Sequence, residues 1–303
     1  MGTTLLIGSC EPFSGKSALV LGIAQKLTQE GQQVRFGKPL ATSLDWDPNK
    51  GPLPQPLIDD DVRFVGETLG LAADRLIPSL HLLSPTTATQ RLGQGDLQAG
   101  DGFSAMRQQI ADHDGLTLLE CAGSLQEGLL YGLSLPQLAE GLDAGVLLVH
   151  LWQDSCSVDA LLAAKQTLGN RLVGVVLNAV TPGEVESLER QVVPALENLG
   201  LPVFGVMPRS PLLRSVTVGE LVRRLSARVI CCEERQELLV ETLSIGVMNV
   251  NSAKQQNEHI ASFRGTLDTL GGLERALNRH AFEGDSFLLT SDADAQISGR
   301  DAS

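Results

Sequence analysis

The residues of this chain whose types and spacing could do chemistry together are Cys10-Glu11-Pro12-Phe13-Ser14-Gly15-Lys16-Ser17. They follow a short apolar run from Thr3 and precede a stretch in which Leu19, Ile23 and Leu27 recur at helical spacing. Strand, tight glycine loop and helix together make a context in which backbone N–H groups converge on an anion. There a lysine reaches the outer phosphates and the following hydroxyl holds Mg²⁺. Ser14, Gly15, Lys16 and Ser17 are therefore expected to bind phosphate. The usual pattern has a glycine five residues before Gly15, where this chain has Cys10. Pro12 stiffens the middle, so the loop should depart from the commonest geometry.

Three further positions could complete such a site. Lys38 ends a second short strand, Gln33 to Lys38, on the rim where ligands bind in a parallel sheet. Asp59, Asp60 and Asp61 open a segment that reads as a helix through Leu69. Three aspartates there serve equally as a cap at the positive end of the helix dipole or as a carboxylate for Mg²⁺ beside a triphosphate. Glu120 terminates the apolar run Leu116 to Leu119, which reads as a strand buried on both faces. An acid at that point is more economical as a metal or water ligand than as a buried unpaired charge.

These residues need elements that bring them to one rim. Ala144–Leu151, Arg171–Asn178 and Val203–Met207 read as further buried strands, with helices over 102–113, 158–168 and 183–199. Residues 42–55 read as a surface loop, and 80–100 as an irregular stretch that carries Ser84-Pro85-Thr86 and several glycines. Six strands alternating with helices predict an α/β fold with a doubly wound, mostly parallel sheet. Asn178 and Pro208 fall at strand ends and so share a rim with Gly15, Lys16, Lys38 and Glu120. Past Val216 the pattern gives a helix to Leu225, an apolar patch Val229–Cys232, a helix Glu233–Leu243 and the segment Ile245–Ala253. Residues 291–303 read as a disordered tail.

Composition narrows the partners. The formal charge of the 303-residue chain is −13 and its 23 basic residues form no run, which argues against nucleic acid or an anionic membrane. Five cysteines, at 10, 121, 156, 231 and 232, show no metal-like spacing and read as reduced thiols of a cytoplasmic protein. The five histidines form no pair at helical ligand spacing, so no zinc site is expected. No apolar run is long enough to span a membrane.

In order, the Ser-Gly-Lys-Ser loop, Lys38-Pro39, the aspartate cluster, Glu120-Cys121-Ala122-Gly123, Val176-Leu177-Asn178 and Gly205-Val206-Met207-Pro208 resemble dethiobiotin synthetase and its cobyrinic acid a,c-diamide synthase relatives. Cys10 to Ser17 resembles more closely the synthetase-like domain at the amino end of long bacterial phosphotransacetylases. Met248-Asn249-Val250-Asn251-Ser252-Ala253 resembles the opening of the DRTGG domain that follows it there. The resemblance implies a P-loop nucleotide-binding domain over 1–226, a partial or diverged DRTGG-like appendage over 227–290, and a tail. It implies ATP and Mg²⁺ as cofactors, with Gly15, Lys16 and Ser17 on the phosphates and Mg²⁺, and Glu120 with one of the three aspartates, Asp60 foremost, completing the metal shell. It further implies Lys38 at the γ-phosphate or the reacting carboxylate, Asn178 and Pro208 on the nucleotide, and dimers or a regulatory protein partner. The chain departs from the synthetase at Cys121 and Ser124, where the family has glycines, and at Thr86, where a histidine is expected. Three readings follow: an ATP·Mg²⁺-responsive regulatory module, an ATP-dependent ligase that joins a carboxylate or carbamate to an amine, and a scaffold that binds no nucleotide.

Overall fold

A computed structural model describes residues 3–44, 46, 51–95, 97–210, 215–225, 228–229, 233–240 and 289–290. In chain order the first part runs β1 (Thr3–Ser9), α1 (Lys16–Gln29), β2 (Val34–Gly37), β3 (Leu40–Ala41), α2 (Asp60–Leu69), β4 (Leu76–Ile77) and β5 (His81–Leu82). It continues with α3 (Pro85–Gln94), α4 (Asp101–Ala111), β6 (Leu116–Glu120), α5 (Leu135–Gly141), β7 (Gly145–Leu151), α6 (Val158–Leu168), β8 (Leu172–Val180), α7 (Val185–Asn198) and β9 (Val203–Pro208). Seven of the strands form one sheet in the order β4-β2-β6-β1-β7-β8-β9, and every pairing in it is parallel.

Parallel strands need crossover helices, which cover both faces, so a central strand carries apolar residues on both faces. On β1, Leu6 and Ile7 point to opposite faces and both are fully buried. Leu6 joins Leu119, Leu148 and Leu177 beneath α4, α5, α6 and α7. Ile7 joins Leu118, Val149 and Val176 beneath Val20 and Ala24 of α1 and Val62 and Val65 of α2. Burying one such side chain contributes about 1.5–3 kcal/mol, so this double core is what holds the strand ends in register. The chain leaves β1 for one side of the sheet, returns at β6 and continues on the other side from β7. The strand order thus reverses around β1, and the crevice at its carboxyl end is where such sheets bind ligands.

The sheet has seven strands where the periodicity gave six. The added strand, β4, is two residues long, too short to show a period, and forms because Gly37 leaves room for Ile77 to pair beside it. The stretch expected to be irregular contains α3. Ser84 caps it, Pro85 occupies its first turn, and Thr87 completes a capping box. Ser134 and Gln137 start α5 in the same way.

The contacts divide the chain into two compact units, Met1–Arg209 and Ser210–Ser303. In the second, β10 (Val216–Thr217) leads into α8 (Val218–Leu225), followed by β11 (Arg228–Val229). The helix expected from Glu233 is instead a short 3₁₀ turn, Glu233–Arg235, followed by β12 (Leu239–Val240). Pairing with β10 in register Val216↔Val240 overrides the local helical pattern there. A last strand, β13 (Leu289–Thr290), pairs with β11. Cys231 and Cys232, the segment 245–253 and the tail 291–303 lie outside the described residues.

Candidate functional site

The loop between β1 and α1 hangs over the carboxyl end of the central strand. Gly15 caps α1 in the left-handed region (φ 96°, ψ 23°), and no side chain caps the helix. The first amides of α1 are therefore free to face an anion. A Cβ at Gly15 would overlap Asn178 Nδ2. Asn178, near the end of β8, donates through Nδ2 to Ser14 O (2.7 Å) and accepts at Oδ1 from Ala179 N–H (2.7 Å). It is thus a strut that fixes the loop, with one Nδ2 proton and one Oδ1 lone pair to spare. Lys16 is 8% exposed and donates to Ser9 Oγ (2.9 Å), which lies 2.8 Å from Glu11 O and 2.9 Å from Gly123 O. Burial, only partly offset by Glu120, holds its ammonium below the usual lysine range.

Glu120 is the next layer. Register Ile7↔Glu120 sets it beside β1, and it is 2% exposed. Its Oε1 accepts from Ser17 Oγ (2.9 Å), while its buried Oε2 has no hydrogen-bond partner. Burial pushes this carboxyl up to about 7, against the pull of Lys38, Ser17 and Lys16. The buried Ser14 Oγ likewise has no partner. Orphaned buried polar atoms are rare enough that two on one loop and its rim call for a ligand.

Lys38, 3% exposed, leaves β2 and meets the aspartate cluster at the start of α2, with Nζ 2.6 Å from Asp61 Oδ2 and 3.4 Å from Asp59 Oδ1. Burial opposes its charge, but Glu120, Asp59 and Asp61 outweigh that and raise its pKa. The three aspartates divide their work. Asp59, fully buried, caps α2 through Asp61 N–H and accepts from Thr42 N–H (2.7 Å) and Ser43 N–H (3.0 Å). Asp60 bonds Ser43 Oγ (2.9 Å) and pairs with Arg63. Asp61 is the closer of the two that pair with Lys38, and the one whose charge acts on Glu120.

The remaining rim is more closed. Glu127 takes the Gly123 N–H, and Thr87 Oγ1 lies 2.8 Å from Tyr131 OH, the tyrosine being 1% exposed. Pro208 stands exposed at the end of β9, three strands from β1 or about 14 Å across the sheet. One cluster escaped the sequence reading. Cys10, Glu11 and His150 each offer a ligand atom within 4.8 Å of the others, although 139 residues separate Glu11 from His150. The signal that could have found it is His150 itself, a polar residue within the buried-type strand Ala144–Leu151.

Phosphate acetyltransferase of Nitratidesulfovibrio vulgaris is 23% identical over 264 residues, 83% of this chain and 36% of that protein. The Deinococcus radiodurans enzyme of the same name is 25% identical over 262 residues, 82% of this chain and 35% of its own length. The chain thus spans about a third of the curated relatives it matches. Among solved structures, the septum site-determining protein MinD of Pyrococcus horikoshii, complexed with Mg-ADP, aligns with a TM-score of 0.43 at 13% identity, covering 71% of this chain and 84% of that one. The AAA domain profile AAA_26 matches residues 3–217, most of the chain, and with the glycine loop and parallel sheet in place the protein belongs to that family of dethiobiotin synthetase-like P-loop domains.

Proposed function

We propose that this protein binds ATP with Mg²⁺ in the loop Ser14–Ser17 and acts as a nucleotide-responsive regulatory module. The observation that carries the reading is Glu120, a buried carboxylate set between Lys16 and Lys38 with one oxygen on the Ser17 hydroxyl and the other without a partner. Hard oxygen donors of this kind suit Mg²⁺. Ser17 and Glu120 would hold it, with Asp61 rather than Asp60 as the third oxygen donor, and the ion would neutralise charge on the outer phosphates. Lys16 would leave Ser9 for the same phosphates, and the free amides of α1 would receive them. The spare valences of Asn178 are what this strand end offers to a base. The regulatory role is favoured by the acceptor side of the rim, where Glu127 holds Gly123 and Tyr131 is packed against Thr87.

Calorimetric titration of MgATP into the full chain tests the site. Micromolar binding is expected, weakened by about 10- to 100-fold in Lys16→Ala, the loss of a charged hydrogen bond. No heat above background in the wild type would remove nucleotide binding from consideration. The buried, carboxylate-paired Lys38 is the feature that favours a ligase instead, since it would stabilise charge on a transferred phosphoryl group. Phosphate release that depends on an added carboxylate and amine would decide for the ligase, and binding without such release for the module.

A further inference from the structure

His150 sits near the end of β7, 1% exposed, and its two ring nitrogens have unlike surroundings. Nε2 lies 3.0 Å from Ser157 Oγ. That hydroxyl spends its single proton on Asp154 O (2.6 Å), so toward the ring it can only accept. The proton of a neutral imidazole therefore stands on Nε2, and Nδ1 presents a lone pair. This lone pair is buried, has no hydrogen-bond partner, and faces Glu11 Oε1 at 3.5 Å. Glu11 Oε1 is held in place by Leu151 N–H (2.7 Å). Nδ1 and Glu11 Oε1 are thus fixed toward one another, a contact that is relieved by a proton shared in an imidazolium–carboxylate pair or by a metal ion that takes both atoms as ligands. Cys10 Sγ completes the group, with one ligand atom of each residue within 4.8 Å of the other two.

From this geometry we infer that Cys10, Glu11 and His150 form a binding site for a borderline-soft divalent metal ion of the Zn²⁺ class. Sulfur, nitrogen and oxygen donors together disfavour Mg²⁺, which demands hard oxygen ligands, and match the donor sets of tetrahedral Zn²⁺ sites with one position left open. Bonds of about 2.0–2.3 Å put neighbouring ligand atoms about 3.3–3.8 Å apart, so closing the site needs side-chain shifts of about 1 Å. The Ser157 bond to Nε2 is the outer contact that metal-bound histidines use to fix ring and tautomer. Burial and Glu11 push the Cys10 thiol up to about 12, and a bound dication reverses that balance by stabilising the thiolate directly. Two of the three donors belong to the loop that carries Lys16, while the third belongs to β7. A metal here would tie the first half of that loop to the sheet, and the site needs no nucleotide to form.

The test uses the full chain, stripped with a chelator and titrated with Co²⁺, then with Zn²⁺, in the absence of nucleotide. One equivalent of Co²⁺ is expected, with the near-ultraviolet charge-transfer band of a thiolate-bound ion and visible bands of tetrahedral coordination, both removed by Zn²⁺. Cys10→Ser should abolish the charge-transfer band, and His150→Gln should weaken Co²⁺ binding at least tenfold. Cys121→Ser and Cys156→Ser should leave both unchanged. Absence of the band from the wild type, or its survival in Cys10→Ser, overturns the inference. Should His150→Gln fail to fold, Zn²⁺ protection of Cys10 from alkylation in the wild type, read by peptide mass spectrometry, decides in its place.

Discussion

A carboxylate that is 2% exposed and set between two lysines responds to pH unlike one in water. In the unfolded chain Glu120 ionises near 4.5, and in the folded protein near 7. Below 4.5 it is protonated in both states and contributes no penalty. As pH rises toward 7 the unfolded chain ionises first, so the fold loses stability through this window and recovers none of it above. At about 1.4 kcal/mol per unit the loss is on the order of 3 kcal/mol. Glu120→Gln keeps the shape and removes the ionisation. Urea midpoints of the variant are expected to stay level between pH 4.5 and about 7 while those of the wild type fall, and parallel curves would mean that the carboxylate is not shifted. The same side chain was legible in the sequence, because a strand that ends in an acid after an unbroken apolar run leaves that acid at the rim. Its environment was not, since the lysines that set it come from other elements.

At the scale of elements, the start of α2 does two jobs with adjacent residues. Asp59 caps the helix, anchors the turn at Thr42 and Ser43, and shares Lys38, while Asp61 two residues on supplies the closer partner to that lysine. Asp59→Ala removes the cap, orphans two backbone donors and weakens the compensation of a buried ammonium. Its cost is expected to be on the order of 3–5 kcal/mol in chemical denaturation, the range for breaking a buried ion pair. Asp60→Ala, on the outer side of the same turn, should cost no more than about 1 kcal/mol. Equal costs would show that the three carboxylates share the load. From sequence alone the cluster read equally as cap and as ligand, and the fold assigns the cap to Asp59 because only its side chain turns back over the first amides. Among the elements the sequence reading missed, β4 and α3 had little to announce them. Two residues carry no period, and a helix of polar residues such as Pro85–Gln94 is announced by its cap rather than by its stripe.

For the whole molecule, apolar runs predicted the sheet because strands covered on both faces need no alternation, and the rim followed from where those runs stop. What the pattern could not supply was contact across the chain. Glu11 and His150 meet only because β1 and β7 are neighbours, and Asn178 reaches Ser14 only because the loop curls past β7 toward β8. The position of β1, fourth of seven strands, has a consequence in time as well as in space. Amides of Leu5 to Ser9, hydrogen-bonded on both sides in the middle of the sheet, should exchange with solvent deuterium only when the entire domain opens. Those of Pro12-flanked Glu11 and Phe13 to Ser17 have no such partners within a sheet and should exchange by local opening, orders of magnitude sooner. Mass-resolved exchange of the two adjacent peptides reads this contrast directly, and similar rates in both would contradict it. The loop Cys10–Ser17 is then a fast clock mounted on a slow one, and a ligand bound to the folded domain slows both, because it also lowers the population of the globally opened state.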